Sequence, residues 1–274
     1  MSEQLTPHYC ADGSDCNHAA ATSDGMTWVT EPSVRLVAST QTYPKRFAEL
    51  AAALGIPPRR SIPTDGTGNV VGAGSTCYYS FDAPNPATAD PDDYIKNIIK
   101  QGHGSVLRFH QATLSISASR WVVRELLRHG AGFDKAEASQ RYIDVPPRIH
   151  IPHAVARSPV AVEAYKVAAK QSYAAYQTMF AHLHDHYPRK QAREAARALL
   201  PEGMETTLIL SGNMQGWRHL IEVRTADAAA LDMRILAMEI YRVLSAEWPV
   251  YFFDTTVVEG AFGLPNVKFE YSKV

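Results

Sequence analysis

Cysteine is scarce in this 274-residue chain, and neither sign of charge is in excess. Three cysteines, all before residue 78, cannot build a disulfide framework, and their scarcity suits a reducing compartment. No apolar run approaches the roughly 20 residues needed to span a bilayer, so no membrane partner is expected. The opening MSEQLTPHYCADG has neither a basic end nor an apolar core; no secretory signal is expected, and the expected location is cytoplasmic. With 27 Lys and Arg against 28 Asp and Glu, the net charge of −1 argues against broad adsorption to nucleic acid. Also missing are an HExxH or other metal spacing and a GxSxG elbow, which leaves metalloprotease and serine-esterase chemistry without support. His8, Cys10, Cys16 and His18 could approach a zinc ion. The five-residue gap between those cysteines and their loose context weigh against it, and no metal is expected. Glycines 66, 68, 72 and 74 follow no strand–helix order, so a dinucleotide-binding fingerprint reads poorly.

What is present is an ordinary globular composition, 46% hydrophobic and 20% charged, which excludes global disorder. Residues 1–30 lack periodicity and are expected to be a mobile arm before a single catalytic domain over 31–274. The pattern predicts a strand beginning over 34–40, a helix over 44–54 and, over 61–93, long loops around one strand in TCYYSF. It then predicts a helix over 92–102, a strand over 113–117 and a helix from Ser119 to near His129. A polar loop follows. One long helix carries Val162, Tyr165, Ala169, Tyr173, Tyr176, Phe180 and Leu183, and another covers 193–200. A strand over 206–211 precedes two helices over 216–248, broken around 224–227. The class is α+β, helix-rich with a small central sheet.

The strongest chemical signal is on SRWVVRELLRHG. Arg120, Arg124 and Arg128 fall at i, i+4 and i+8 beside the apolar face of Val122, Val123, Leu126 and Leu127. Like charges at that spacing repel by a few tenths of a kcal/mol per pair, so an anionic ligand or nearby carboxylates must favour the row. The plainer alternative is a solvated basic face with Glu125 and other acids as partners. His129, in the last turn, complements the helix dipole. Ser139-x-Arg141, read as extended, suits phosphate or carboxylate binding. Arg197 and Arg224 sit among apolar residues, where a guanidinium pairs with an acid or holds an anion. Glu222 and Asp227 are candidate partners for Arg224. His103, Ser105 and His110 lie in GHGSVLRFH, where glycines allow close approach to a ligand.

In their order, these segments resemble the flavin-dependent thymidylate synthase family. That family has a Gly-His-Gly/Glu-Ser/Thr loop, a strand, a helix ending in Arg-His-Arg, and a later Ser-x-Arg-Tyr. The corresponding segments here are GHGS at 102–105, RHG at 128–130 and EASQRY at 137–142. ARALLP at 196–201, the strand end at Asn213, and RHLIEVRTADAAALDMR at 218–234 extend the resemblance. It implies a family-like fold in a homotetramer with active sites between subunits. It also implies reductive methylation of a uridylate at C5, with FAD, NADPH and methylenetetrahydrofolate. By the same resemblance, His103, Ser105, Arg128, His129, Gly130, Glu137, Asn213 and His219 hold the flavin. Glu125, Arg128, Glu137, Ala138, Ser139, Gln140, Arg141, Arg197 and Arg224 contact the nucleotide. Ser139 and Arg224 are the catalytic candidates, with Arg224 facing the pyrimidine and favouring its ionisation.

The departures are specific. Gly130 replaces the motif's third residue, usually Arg, and Lys135, Arg108 and Arg124 are the candidates to replace its charge. The loop to Ser139 is one residue longer than usual. Glu125 stands where Gln is common, and Ala228–Ala230 replace a His-Ala-Gln run. Arg108-Phe109 precedes the second His where Glu is usual. These changes resemble the branch that methylates UMP in polyoxin-type nucleoside antibiotic biosynthesis, so UMP is favoured over dUMP. Three alternatives remain at this point: a housekeeping synthase acting on dUMP, a homologue that binds flavin or nucleotide without turnover, and a flavin oxidoreductase with no folate step.

Overall fold

The computed structural model describes residues 19–21 and 25–272. The chain begins with β1 (Ala19–Ala21), β2 (Thr27–Val29) and β3 (Ser33–Ser39), then α1 (Pro44–Ala53), α2 (Gly66–Tyr78) and α3 (Pro91–Lys100). A 3-10 turn at Gly104–Phe109 leads into β4 (Gln111–Ser119), α4 (Arg120–Leu126), β5 (Phe133–Glu137) and β6 (Arg148–His150). Next come α5 (His153–Ala156), α6 (Pro159–His184) and α7 (Arg189–Ala196), which runs into a 3-10 turn at Arg197–Leu199. β7 (Glu205–Asn213), α8 (Met214–Thr225), α9 (Leu231–Glu247), β8 (Thr255–Glu259) and β9 (Pro265–Phe269) complete the order.

The central sheet is antiparallel throughout, in the order β3-β4-β7-β5. Period-2 patterning decides which face is covered. Ala112, Leu114, Ile116 and Ala118 of β4 and Leu208 and Leu210 of β7 are buried beneath α2, α3, α8 and α9. The opposite face carries Thr113, Ser117, Thr207 and Ser211, which hydrogen-bond across the β4–β7 pair. Fully burying one of these aliphatic side chains contributes about 1.5–3 kcal/mol, so the one-sided core fixes the sheet register. A smaller core of Trp28, Val145, Ile149, Ile151 and Met204 packs with α6 beside the sheet β1-β2-β6.

Several expectations need correction. The loop-rich reading of 61–93 gives way to α2, whose N-terminus is capped by Asp65. Its glycines serve close packing rather than turns: a Cβ on Gly66 would lie 2.1 Å from the His110 ring. The polar loop after α4 contains β5, paired with β7 from Phe133–Gly212 to Glu137–Leu208. This edge strand buries only Phe133, so it carries no alternating pattern. GHGSVLRFH is mostly a 3-10 turn, and its His110 is fully buried against Tyr251. Ser139 to Tyr142 is a turn, not extended chain, closed by the Tyr142 N–H on the Ser139 carbonyl at 3.0 Å. Most of the expected N-terminal arm, with Cys10 and Cys16, lies outside the described residues. Within 1–30, Thr27–Val29 pairs with β6, and Trp28 and Val29 are buried.

Candidate active site

Two groups of site residues form at opposite ends of α4. Arg120, at its start, approaches Glu137 at 3.9 Å, whereas His129 follows its end. The seven residues of α4, at 1.5 Å each, set these ends about 10 Å apart.

At the C-terminal end, α8 brings Arg224 against Glu125 and His129. The Arg224 guanidinium donates from Nε to His129 Nε2 at 2.7 Å, and from Nη1 to Glu125 Oε2 and Nη2 to the Glu125 carbonyl, both at 3.3 Å. Arg128 donates to the same carboxylate at 3.1 and 3.3 Å. His129 accepts at Nε2, so its ring proton sits on Nδ1. Burial and the charges of Arg224, His219 and Lys135 lower its pKa to about 4, so it is neutral at pH 7. Lys135 donates to the carbonyls of Leu127 (2.6 Å) and His129 (3.2 Å), placing a cation where the dipole of α4 favours one. Gly130 is exposed, and a Cβ there would meet nothing within 4 Å.

Beside this junction opens a cavity of about 550 Å³ lined by Arg108, Gly132, Asn213, Gln215, His219 and Ser272, among others. Asn213 caps α8 by accepting from the Gly216 N–H at 2.8 Å, and Arg108 is held by Gln215 at 2.6 Å. Gly132 has φ +79°, and a Cβ on it would lie 2.7 Å from Asn213 Nδ2, so the loop over the helix start requires glycine. A helix N-terminus with a cation and a histidine beside it fits the phosphates of a dinucleotide such as FAD. Two expected flavin residues, Asn213 and His219, line the cavity. Ser105 is exposed on the 3-10 turn instead, and His103, just before that turn, is exposed and stacked on Tyr78.

The second group surrounds the turn after β5. Glu137 accepts from Thr206 Oγ1 at 3.1 Å, and the Ala138 N–H donates to the Thr207 carbonyl at 2.9 Å. Ser139 Oγ accepts from the Arg141 N–H at 3.4 Å. Arg141 donates from Nη2 to Glu194 of α7 at 2.7 Å, while its Nε is buried with no acceptor. Gln140 is buried, and its Nε2 also has no acceptor. One turn beyond Glu194 the half-buried Arg197 makes no side-chain hydrogen bond or ion pair among the described residues.

The row on α4 is paired throughout, Arg120 with Glu137, Arg124 with Glu202 and Arg128 with Glu125, as expected of a basic face partnered by acids. Neither Glu222 nor Asp227 serves Arg224. Asp227 instead pairs with Arg234 at 2.9 Å and accepts from the Ala261 N–H at 2.8 Å. The fully buried arginines are others: Arg193 joins Asp144 and the Tyr142 carbonyl, Arg218 pairs with buried Asp254 at 2.8 Å, and Arg234 binds backbone carbonyls. Their only sequence signal is an arginine inside an apolar helical run. No cluster of His, Cys, Asp and Glu able to hold a metal occurs among the described residues. No helix among them is long and apolar enough to cross a membrane.

Residues 63–250, which carry most of both groups, match the family described as thymidylate synthase complementing protein. A flavin-dependent thymidylate synthase of Mycobacterium marinum is 37% identical over 221 residues, covering 75% of this chain and 88% of the relative. The chain belongs to the flavin-dependent thymidylate synthase family. That membership makes it an enzyme of the methyltransferase class. A probable flavin-dependent thymidylate synthase of Mycobacterium phage L5 is also 37% identical, over 207 residues, covering 73% of this chain and 81% of the relative. Among solved structures, the UMP/dUMP methylase PolB from Streptomyces cacaoi bound with 5-Br dUMP matches with a TM-score of 0.59 at 20% identity, over 82% of this chain and 94% of PolB. PolB bound with 5-Br UMP matches equally, over 93% of its length. At that identity the likeness concerns the fold.

Proposed function

We propose that the protein methylates a uridine monophosphate at C5, UMP in preference to dUMP. Methylenetetrahydrofolate is the carbon donor and NADPH the reductant, and the active sites lie between subunits of a homotetramer. The observation that carries this reading is the turn at 139–141. A buried donor without an acceptor suits a water or a ligand; Trp28, Arg193 and Arg218 each have one as well, but those at this turn lie together beside a cation. Gln140 Nε2 and Arg141 Nε are two such donors, and Arg197 close by adds a guanidinium without a counter-ion among the described residues. Together they suit a dianionic phosphate, with the Ser139 hydroxyl as a further contact.

Arg224 then takes the pyrimidine. Of its five N–H groups three are occupied by His129 and Glu125, which leaves one on each terminal nitrogen for the carbonyl edge of uracil. A guanidinium fixed beforehand stabilises charge developing on the ring without reorganising, the usual source of large electrostatic effects. His129, kept neutral by burial, holds that guanidinium rather than repelling it. The cavity at the start of α8 holds FAD, which when bound supplies the electron-transfer chemistry. His103, Ser105, Arg128, Gly130 and Glu137 are its further expected neighbours, and Lys135 is the nearest replacement for the missing motif charge. The placement of the two groups at opposite ends of α4, about 10 Å long, supports a site completed by a second copy. The departures from the family pattern at Glu125, Gly130 and Ala228–Ala230 support a ribonucleotide substrate.

Incubating the enzyme with FAD, NADPH, methylenetetrahydrofolate and either nucleotide, followed by mass spectrometry, tests the reading. Faster methylation of UMP is expected. Faster methylation of dUMP would return the protein to ordinary thymidylate synthesis, and an unmethylated nucleotide would leave only binding or another flavin reaction.

A further inference from the structure

Glu125 stands where two expected substrate-binding arginines meet. Its Oε2 takes a donor from Arg128 and one from Arg224, each at 3.3 Å, and its Oε1 takes a second contact from Arg128 at 3.1 Å. These contacts are long for charge-assisted hydrogen bonds, which usually run about 2.7–2.9 Å. The Arg224 bond to His129, at 2.7 Å, is not long. Arg224 is therefore anchored chiefly by His129, while the Glu125 carboxylate is loosely held and 31% exposed. A ligand oxygen approaching the free N–H groups of Arg224, or those that Arg128 gives to Glu125, meets the negative charge of that carboxylate, so the two compete for the same guanidiniums.

We propose that Glu125 is an internal competitor of the nucleotide: it holds Arg128 and Arg224 in the free enzyme and gives way to ligand oxygens on binding. Glu125 then weakens and tunes nucleotide affinity rather than adding to it. The inference rests on placing the nucleotide against Arg128 and Arg224. Exchange of one acceptor for another keeps both guanidiniums satisfied in each state, and an anchored Arg224 needs no rearrangement. The displaced carboxylate has solvent within reach, which a fully buried acid would lack. The incoming oxygens belong either to the phosphate or to the uracil carbonyls.

Calorimetric titration of the full-length flavoprotein with UMP and with uridine separates these cases, using wild type, Glu125→Gln and Glu125→Asp. Gln keeps the side-chain length and a carbonyl acceptor but removes the charge. The expected result is tighter UMP binding by Glu125→Gln, about fivefold from the scale of a partly exposed ion pair. That gain should shrink at about 0.5 M salt. Glu125→Asp, which keeps the charge, should not show the gain. If uridine also binds more tightly to the Gln variant, the competing oxygens are those of the pyrimidine; if only UMP does, they are those of the phosphate. Unchanged or weaker UMP binding by Glu125→Gln, in a variant with unaltered melting, overturns the inference and leaves the nucleotide site standing. No binding of UMP to the wild type overturns both.

Discussion

At the α4–α8 junction the guanidiniums of Arg128 and Arg224 are matched by acceptors of their own chain, whereas around the 139–141 turn donors outnumber acceptors. The first region is a hydrogen-bonded cluster in which two guanidiniums share one carboxylate, organised before any ligand arrives. In the second, the unspent donors of Gln140, Arg141 and Arg197 make anion binding favourable. A nucleotide has a part suited to each, a dianionic phosphate for the open region and a weakly polar uracil edge for the organised one. The division of labour follows from hydrogen-bond accounting, and substitutions on either side should separate catalysis from binding.

Arg224→Ala should have the largest effect. It removes the charge proposed to face the pyrimidine and should lower kcat at least 100-fold, on the order of losing a preorganised oxyanion donor. FAD absorbance should stay with the protein, and a variant of near-normal kcat would remove Arg224 from the chemistry. Arg197→Ala should act mainly on binding. Loss of one charge-assisted contact, about 1.5–3 kcal/mol, should raise the Kd for UMP by about tenfold to 100-fold, with most of kcat recovered at saturation. An unchanged Kd would contradict the open-donor account. Mixing these two variants sharpens the comparison further. If the two regions meet across subunits, hybrid assemblies regain sites with both arginines, and methylation at low UMP should exceed that of either variant alone.

A smaller effect is expected on stability. His129 and His110 have ordinary pKa values of 6.5 lowered to about 4, chiefly by burial, so each is neutral in the folded protein over a range where the unfolded chain is protonated. Above about pH 6.5 neither state binds the proton. As pH falls from 6.5 towards 4 the unfolded state takes up more protons, and stability falls with it. Melting temperature should therefore decline between pH 7 and pH 5, and His129→Gln should reduce that slope, to which buried His110 and His153 also contribute. A slope unaffected by the substitution would place the titration elsewhere. The smallest effect is expected from Gly130→Arg: open space around Gly130 predicts melting close to wild type, with flavin binding equal or tighter. A large loss of stability would show that the departure from the family motif is sterically required.

Most of the helices, both long strands of the sheet and the family were legible in the sequence because they rest on local periodicity and ordered motifs. The helix α3, with Tyr94, Ile95, Ile98 and Ile99 on its buried side, is such a case. What was hidden depends on neighbours distant in the chain. The glycines of α2 looked like turn residues, yet they are there because His110, Phe47 and Tyr94 press on that helix. β5 is an edge strand too polar to alternate. Which carboxylate meets Arg224 could not be read from the helix that carries it: its partner is on α4, 99 residues earlier, rather than at Glu222 or Asp227. In the same way Arg193, not Arg197, proves the buried arginine near the end of α7, because Asp144, the Tyr142 carbonyl and the Phe180 ring surround it. Arg197 is left without a counter-ion among the described residues.

The structure of the UMP complex is the most direct measurement of the two-region account. It should place the phosphate on Gln140, Arg141 and Arg197 and the uracil carbonyls on an Arg224, from the same copy or a neighbouring one. A phosphate bound between Arg128 and Arg224, with Gln140 and Arg141 still lacking acceptors, would contradict it.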